Sequence, residues 1–196
     1  MPTYDERTAL LVVDVQHDFA DPNGSLYVRG AEEIVPIINE QVEAATAAGA
    51  LVVYSRDWHP EITPHFEKDG GIWPVHCVHD TWGADFEADL LVDEDAIVIH
   101  KGVGGEDGYS VFSVRDPRSG EAWETALGDT LREHLIRRLV VCGLTTDYCV
   151  VETVSDARAR GLEVQVLTSA IRAVDRRGGD GQRALERMRD VGALLE

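Results

Sequence analysis

The chain has 196 residues, 44% of them hydrophobic, and a formal net charge of −18. This length suffices for one α/β domain with a full core, and a surface so negative excludes nucleic acid and anionic membrane as expected partners. Three cysteines without paired spacing favour a reducing compartment over a disulfide framework. No signal-peptide pattern and no membrane-spanning apolar run occur in the sequence, so we expect a cytoplasmic protein.

The first half of the chain predicts two strands around one helix. Residues 9–13 form an unbroken apolar run, typical of a central parallel strand that ends at Asp14. A carboxylate at that end lies where α/β folds bind ligands, although a cap or turn role fits the segment equally well. Residues 31–48 predict an amphipathic helix, and residues 51–55 predict the second strand.

A long segment without regular periodicity follows, at about residues 56–95. Its prolines and glycines predict a loop, and its aromatic residues make disorder improbable. One carboxylate and three imidazoles stand within twenty positions: Asp57, His59, His65 and His76. This donor set suits one divalent ion such as Zn²⁺, Mn²⁺ or Fe²⁺. The sequence therefore predicts a metal-binding loop, and a purely structural metal remains the main alternative.

The second half alternates strands with helices. Strands are expected at residues 96–100, around Leu139 and at 164–168, with a short edge strand at 193–195. Helices are expected around Trp123, Leu127 and Leu131, at 147–160 with Asp147 as N-cap, and at 182–190. Such alternation predicts a doubly wound, Rossmann-like parallel sheet of about six strands with helices on both faces.

Three chemically capable side chains then meet at one edge of the predicted sheet. Asp14 and Lys101 follow strands, and Cys149 lies in the first turn of the helix after a strand. A helix N-terminus and a nearby cation favour the thiolate, and a base beside such a thiol suits nucleophilic catalysis. Taken singly, the lysine could be an ordinary surface residue and the cysteine an ordinary core residue.

These features occur in the order seen in one enzyme family. The chain resembles the nicotinamidases, also called pyrazinamidases, of the isochorismatase-like cysteine hydrolases. The resemblance covers nearly the whole chain and rests on five motifs: Val12-Val13-Asp14-Val15-Gln16-His17-Asp18-Phe19, Asp57-x-His59-x₅-His65, Trp73-Pro74-Val75-His76-Cys77, His100-Lys101-Gly102, and Gly143-Leu144-Thr145-Thr146-Asp147-Tyr148-Cys149-Val150.

The resemblance implies roles for these residues. It implies a catalytic triad of Asp14, Lys101 and Cys149, in which Lys101 keeps the thiol anionic. It implies an oxyanion hole from the N–H groups of Thr145 and Cys149, beside a cis Leu144–Thr145 peptide. Water would complete the coordination sphere of a metal held by the four ligands named above. The substrate-binding residues it implies are Phe19, Trp73, Tyr109 and Tyr148.

The chain departs from the family pattern at Tyr148, where some relatives carry histidine, so we expect this residue to affect pocket size and substrate preference. The expected reaction is the hydrolysis of nicotinamide to nicotinate and ammonia through a cysteine thioester, in NAD salvage. Cleavage of pyrazinamide is left open.

A related amidase acting on a carbamoyl or ureido substrate is the alternative within the superfamily, and a non-catalytic, metal-stapled binding protein is the alternative outside it. We expect one domain over residues 1–196, and homo-oligomerisation is left open.

Overall fold

Eight strands are present in the computed structural model, which describes residues 2–196. They are β1 Thr8–Val13, β2 Leu51–Asp57, β3 Ile97–Lys101, β4 Ser113–Arg115, β5 Ala122–Glu124, β6 Arg138–Leu144, β7 Glu163–Arg172 and β8 Leu194–Leu195. Six of them form a parallel sheet in the order β3-β2-β1-β6-β7-β8, and β4 and β5 form a small antiparallel hairpin. The prediction of a doubly wound α/β sheet is therefore confirmed.

The central strand β1 is buried over its whole length. It pairs with β2 on one side and β6 on the other, with Val12 opposite Cys142 and Val13 opposite Gly143. Gly143 has a φ of 106°, and a Cβ there would lie 2.2 Å from the Val13 carbonyl oxygen. Only glycine allows this approach, so the carboxyl ends of β1 and β6 stay side by side.

The helices cover both faces of the sheet, as predicted. They are α1 His17–Ala20, α2 Val35–Ala47, α3 Leu127–Glu133, α4 Val151–Ala159 and α5 Asp180–Asp190. Short 3-10 turns occur at Glu32–Ile34, Glu67–Asp69 and Trp82–Ala84, and a π-helical turn at Thr146–Val150. Apolar residues of α2 pack in one buried cluster, while those of α3, α4 and α5 pack in a second cluster.

Three details differ from the sequence-based expectations. Trp123 lies in β5 and is 43% exposed, so it does not belong to the apolar face of a helix, which begins at Leu127. Strand β2 extends to Asp57 and thereby takes this residue out of the loop. The cysteine-bearing helix begins with the π-helical turn rather than with a helix capped by Asp147. No helix within residues 2–196 combines the length and apolarity that crossing a bilayer requires.

Candidate active site

The sheet edge brings Lys101, Asp14 and Cys149 into contact. The Lys101 Nζ lies 2.7 Å from Asp14 Oδ2 and 3.4 Å from Cys149 Sγ. All three residues are buried, with Lys101 only 1% exposed. A carboxylate oxygen of Asp14 and the Cys149 Sγ also lie within 4.8 Å of each other. A carboxylate, an ammonium group and a thiol thus share one water-poor space, where their interactions are strong.

Local backbone and side-chain contacts fix the Asp14 carboxylate. Asp14 has a φ of 49° in the left-handed region, which aspartate tolerates better than most residues. Its N–H donates to the Ser55 carbonyl at 3.2 Å, and the Ser55 hydroxyl donates to Asp14 Oδ1 at 2.6 Å. The carboxylate is therefore bonded through both oxygens, to Ser55 on one side and to Lys101 on the other.

Burial controls the protonation of this cluster. It raises the pKa of the Cys149 thiol well above its usual range, although the Lys101 cation opposes the shift. It also raises the pKa of Asp14, again against Lys101. For Lys101 burial alone would lower the pKa, but Asp14 and Asp57 raise it well above its usual range. Burial therefore opposes the role expected of Lys101 in keeping Cys149 anionic, while the Lys101 cation itself favours the thiolate.

Asp57 lies between this cluster and the imidazoles. Its Oδ1 is 2.8 Å from Lys101 Nζ, and its Oδ2 is 3.9 Å from His59 Nε2. Asp57 and Lys101 are neighbours because they are in register at the ends of the paired strands β2 and β3. Burial would raise the pKa of Asp57, but Lys101 and His59 hold it well below its usual range. The carboxylate is therefore ionised and can serve the ammonium group and a cation beyond it.

Three imidazoles face one another next to Asp57. One ring nitrogen from each of His59, His65 and His76 lies within 4.8 Å of the other two. The Nδ1 of His65 lies 3.0 Å from Asp107 Oδ1, and the Nδ1 of His76 lies 2.7 Å from the Pro74 carbonyl oxygen. Such outer contacts fix the tautomer and leave Nε2 as the ligand atom.

These residues fit a divalent ion. Both ring nitrogens of His59 are buried without a hydrogen-bond partner in the described chain, which is costly for a polar side chain unless something else binds it. Gly102 makes room for this ring, because a Cβ there would lie 2.4 Å from His59 Nδ1. Burial lowers the pKa of His76 to about 4, which keeps the imidazole neutral and able to ligate. The 3.9 Å between His59 Nε2 and Asp57 Oδ2 lets both reach one ion at about 2.1 Å.

A narrow aromatic cavity lies above Cys149. Its walls include all four predicted substrate-binding residues, Phe19, Trp73, Tyr109 and Tyr148. Three metal-site residues and two residues of the cysteine turn also line it: Asp57, His65, His76, Thr145 and Cys149. The Trp73 Nε1 donates to the Tyr109 hydroxyl at 3.1 Å, and the Tyr148 ring packs edge-on against Trp73 at 4.8 Å. Burial raises the pKa of Tyr109 to about 12, so its phenol stays neutral. The cavity is thus flat-walled and suits a planar ring.

The turn that carries Cys149 joins β6 to α4. The Leu144–Thr145 peptide is cis, as the family resemblance implies. Thr145 and Cys149 both line the cavity. Asp147 does not cap the helix; its carboxylate accepts from the N–H groups of Val174 and Asp175 at 3.0 and 2.8 Å. It therefore fixes the loop after β7.

Comparison with known proteins supplies the family. The model of the isochorismatase domain matches residues 8–195 of the chain. The chain belongs to the isochorismatase domain family. A nicotinamidase of Escherichia coli (strain K12) is 36% identical over 203 residues, covering 95% of this chain and 93% of the relative.

Solved structures of related enzymes are also similar to this chain. A pyrazinamidase of Pyrococcus horikoshii in complex with zinc has a TM-score of 0.86 and 38% identity, covering 97% of this chain and 98% of the other. PnC1 from L. infantum in complex with nicotinate has a TM-score of 0.87 and 34% identity, covering 100% and 95%. Both structures therefore resemble this chain in sequence as well as in fold, over nearly its whole length.

Sequence reasoning missed several residues that position the site of this family member. The side chain of Gln16 bonds to the N–H and carbonyl of Asp57, both at 2.8 Å, and so holds the end of β2. Ser55 and Asp107 orient Asp14 and His65. Leu26 and Val174 complete the cavity wall. Gln16, Ser55 and Asp107 each lie two residues from a predicted functional side chain, which was the available signal. Leu26 and Val174 come from other loops and gave none.

Proposed function

We propose that the protein is a nicotinamidase, which hydrolyses nicotinamide to nicotinate and ammonia. The observation that carries this proposal is the contact of Lys101 with both Asp14 and Cys149 at the base of an aromatic cavity that His65 and His76 line. Nucleophile, base and ring-binding walls are then within reach of one small planar amide. The similarity to curated nicotinamidases supports the same activity.

In the proposed first step, the Asp14 carboxylate takes the proton of the Cys149 thiol while the sulfur attacks the carboxamide carbon. The raised pKa of Asp14 makes its carboxylate a stronger base, and the raised pKa of the thiol explains why a base is needed. The N–H groups of Thr145 and Cys149 stabilise the oxyanion. Lys101 stays protonated and compensates the negative charge that moves between sulfur and carboxylate.

Collapse of the tetrahedral intermediate completes acyl transfer. The C–N bond breaks, the proton held by Asp14 passes to the departing nitrogen, and ammonia leaves. The acyl group then remains on Cys149 as a thioester. A water molecule gives a proton to Asp14 and adds to the thioester carbon, and the C–S bond breaks. Proton return to sulfur regenerates the thiol, so the triad ends the cycle as it began.

We propose that Asp57, His59, His65 and His76 hold one divalent ion. The metal-binding segment at about residues 56–95 would then begin with the last two residues of β2 and continue into the loop, within a single domain spanning residues 1–196. When bound, such an ion supplies a Lewis acid that can accept the pyridine nitrogen of the substrate. Asp107 and the Pro74 carbonyl orient two of the imidazoles, and Lys101 orients Asp57. Nicotinamide is the expected partner; neither nucleic acid nor membrane is expected to bind.

The metal contribution can be separated from that of the nucleophile. The double variant His59→Ala/His76→Ala should lose bound divalent metal and most amidase activity, because two of three imidazole ligands are gone. Metal content is measured by elemental analysis and activity by ammonia release. The control is His134→Ala, an exposed histidine outside the cluster. Full activity with unchanged KM in the metal-free double variant would contradict the proposed role.

Substrate choice tests the ring-binding part of the proposal. Benzamide keeps the ring and the carboxamide of nicotinamide but lacks the pyridine nitrogen. We expect its kcat/KM to be lower by about 10²-fold or more, the loss typical of one strong polar or metal contact. Pyrazinamide, which keeps a nitrogen at that position, should remain a good substrate. Equal kcat/KM values for nicotinamide and benzamide would shift the assignment to an amidase for carbamoyl or ureido substrates.

A further inference from the structure

A second concave site lies on the outer side of Tyr148. It is a groove of about 630 Å³, within the size range of small-molecule sites. Its charged lining consists of four arginines and two aspartates: Arg176, Arg177, Arg183, Arg187, Asp147 and Asp180. A local excess of positive charge is unexpected on a chain whose net charge is −18, so this surface differs in sign from the protein as a whole.

The two aspartates are already engaged by the backbone. Asp147 accepts from the N–H groups of Val174 and Asp175, and Asp180 Oδ2 accepts from the Arg177 N–H at 2.8 Å. Asp180 also pairs with Arg183. These carboxylates therefore hold the loop between β7 and α5 in place, and they leave other arginines of the groove without a carboxylate.

The four arginines fall into two pairs. Arg183 bonds to Asp180, and Arg187 forms a bidentate pair with Glu152. Arg176 and Arg177, in contrast, are exposed and form no ion pair with residues 2–196. Arg176 lies over the Trp73 ring at 4.9 Å and donates to the Ile72 carbonyl at 3.1 Å, while the Arg177 guanidinium donates no hydrogen bond within the described chain.

Arg183 and Arg187 are therefore held by carboxylates and support the groove. Arg176 and Arg177 face the groove with N–H donors that no carboxylate uses. Guanidinium groups present paired N–H donors that match the oxygens of phosphate. We propose that this groove binds a small oligoanion of the phosphate class, of which inorganic pyrophosphate and a nucleoside diphosphate are two sources.

The bound anion would lie next to the aromatic cavity. Tyr148 lines both the groove and the cavity, and Arg176 packs on Trp73, a cavity wall. The site is nevertheless distinct from the proposed amide site, because Asp14, Lys101 and Cys149 do not line it. Binding of the oligoanion therefore stands or fails independently of the proposed hydrolysis of nicotinamide.

Calorimetric titration of inorganic pyrophosphate into the metal-loaded protein tests the proposal. The Arg176→Gln/Arg177→Gln variant should raise the dissociation constant at least about tenfold, because two charge-assisted contacts are lost. Binding to the unaltered protein should also weaken as salt increases. The matched control is Arg29→Gln/Arg118→Gln, which removes the same charge from exposed arginines outside the groove and should leave the affinity unchanged.

Pyrophosphate also chelates divalent ions, so a heat signal could come from the bound metal rather than from the groove. The arginine variants distinguish these two origins. A heat signal that persists unchanged in Arg176→Gln/Arg177→Gln would assign binding to the metal and overturn the proposal, as would the absence of a signal in the unaltered protein. A nucleoside diphosphate that binds more tightly than pyrophosphate, with the same arginine dependence, would support a nucleotide source; weaker binding would support the inorganic anion. Thermal unfolding of each variant establishes that it is folded.

Discussion

Replacing Cys149 by alanine should lower kcat for nicotinamide by about 10⁴-fold or more, because the thiol is the proposed nucleophile and no other thiol reaches the cavity. Cys149 is 5% exposed and contacts Lys101 at 3.4 Å. The variant should still fold and still bind nicotinate, since the aromatic walls are unchanged. Ammonia release measures turnover, and thermal unfolding measures stability.

Cys142 provides the matched control. It is a second buried cysteine, seven residues earlier in β6, and its thiol donates to the Leu11 carbonyl at 3.7 Å within an apolar cluster. Cys142→Ala removes the same atom from the core and should retain turnover with a modest loss of stability. Substantial residual activity in Cys149→Ala, or equal loss in both variants, would rule out covalent catalysis by Cys149.

The second large effect is expected at Asp14. Asp14→Asn preserves the shape of the side chain but removes the proton acceptor, so kcat/KM should fall by about 10²–10⁴-fold. Ser55→Ala is the comparison: it removes the 2.6 Å hydrogen bond to Asp14 Oδ1 but keeps the carboxylate. Its loss should be smaller. Stopped assays for nicotinate formation measure both variants.

The pH dependence of activity also tests the role of Asp14 as the base. The carboxylate must be ionised to accept the thiol proton, so activity should fall as the pH decreases through the pKa of Asp14. Burial raises this pKa above its ordinary value, and the acid limb should lie correspondingly higher. Asp14→Asn should lose this limb along with its rate. An acid limb that persists unchanged in the variant would assign it to a different group.

The sequence predicted the fold because strands carry strong local signals, whereas most of the cavity residues were implied by the resemblance to the nicotinamidases. The apolar runs before Asp14 and before Gly143 mark the two central strands, and parallel topology then places their carboxyl ends together. The positions of Lys101 and Cys149 followed from the same reasoning. Their protonation did not follow, because it depends on how completely the fold excludes water from the cluster.

Other features could not be read from local patterns. Trp123 fits a helical spacing with Leu127 and Leu131, but it pairs across a hairpin with Val114, a contact that periodicity does not encode. Asp147 has the residue type of an N-cap, yet it binds the backbone of a loop 27 residues away. The arginine groove likewise forms only where α5 packs beside the cysteine turn. The sequence of either segment alone therefore does not predict it.

Incubation of the purified, metal-loaded protein with nicotinamide is the most direct test of the central claim. Nicotinate and ammonia are quantified in the same samples, with Cys149→Ala run in parallel. The proposed function predicts equimolar nicotinate and ammonia, formed catalytically by the unaltered protein and not by the variant. The absence of nicotinate from the unaltered protein, or its formation at an equal rate by the variant, would contradict it.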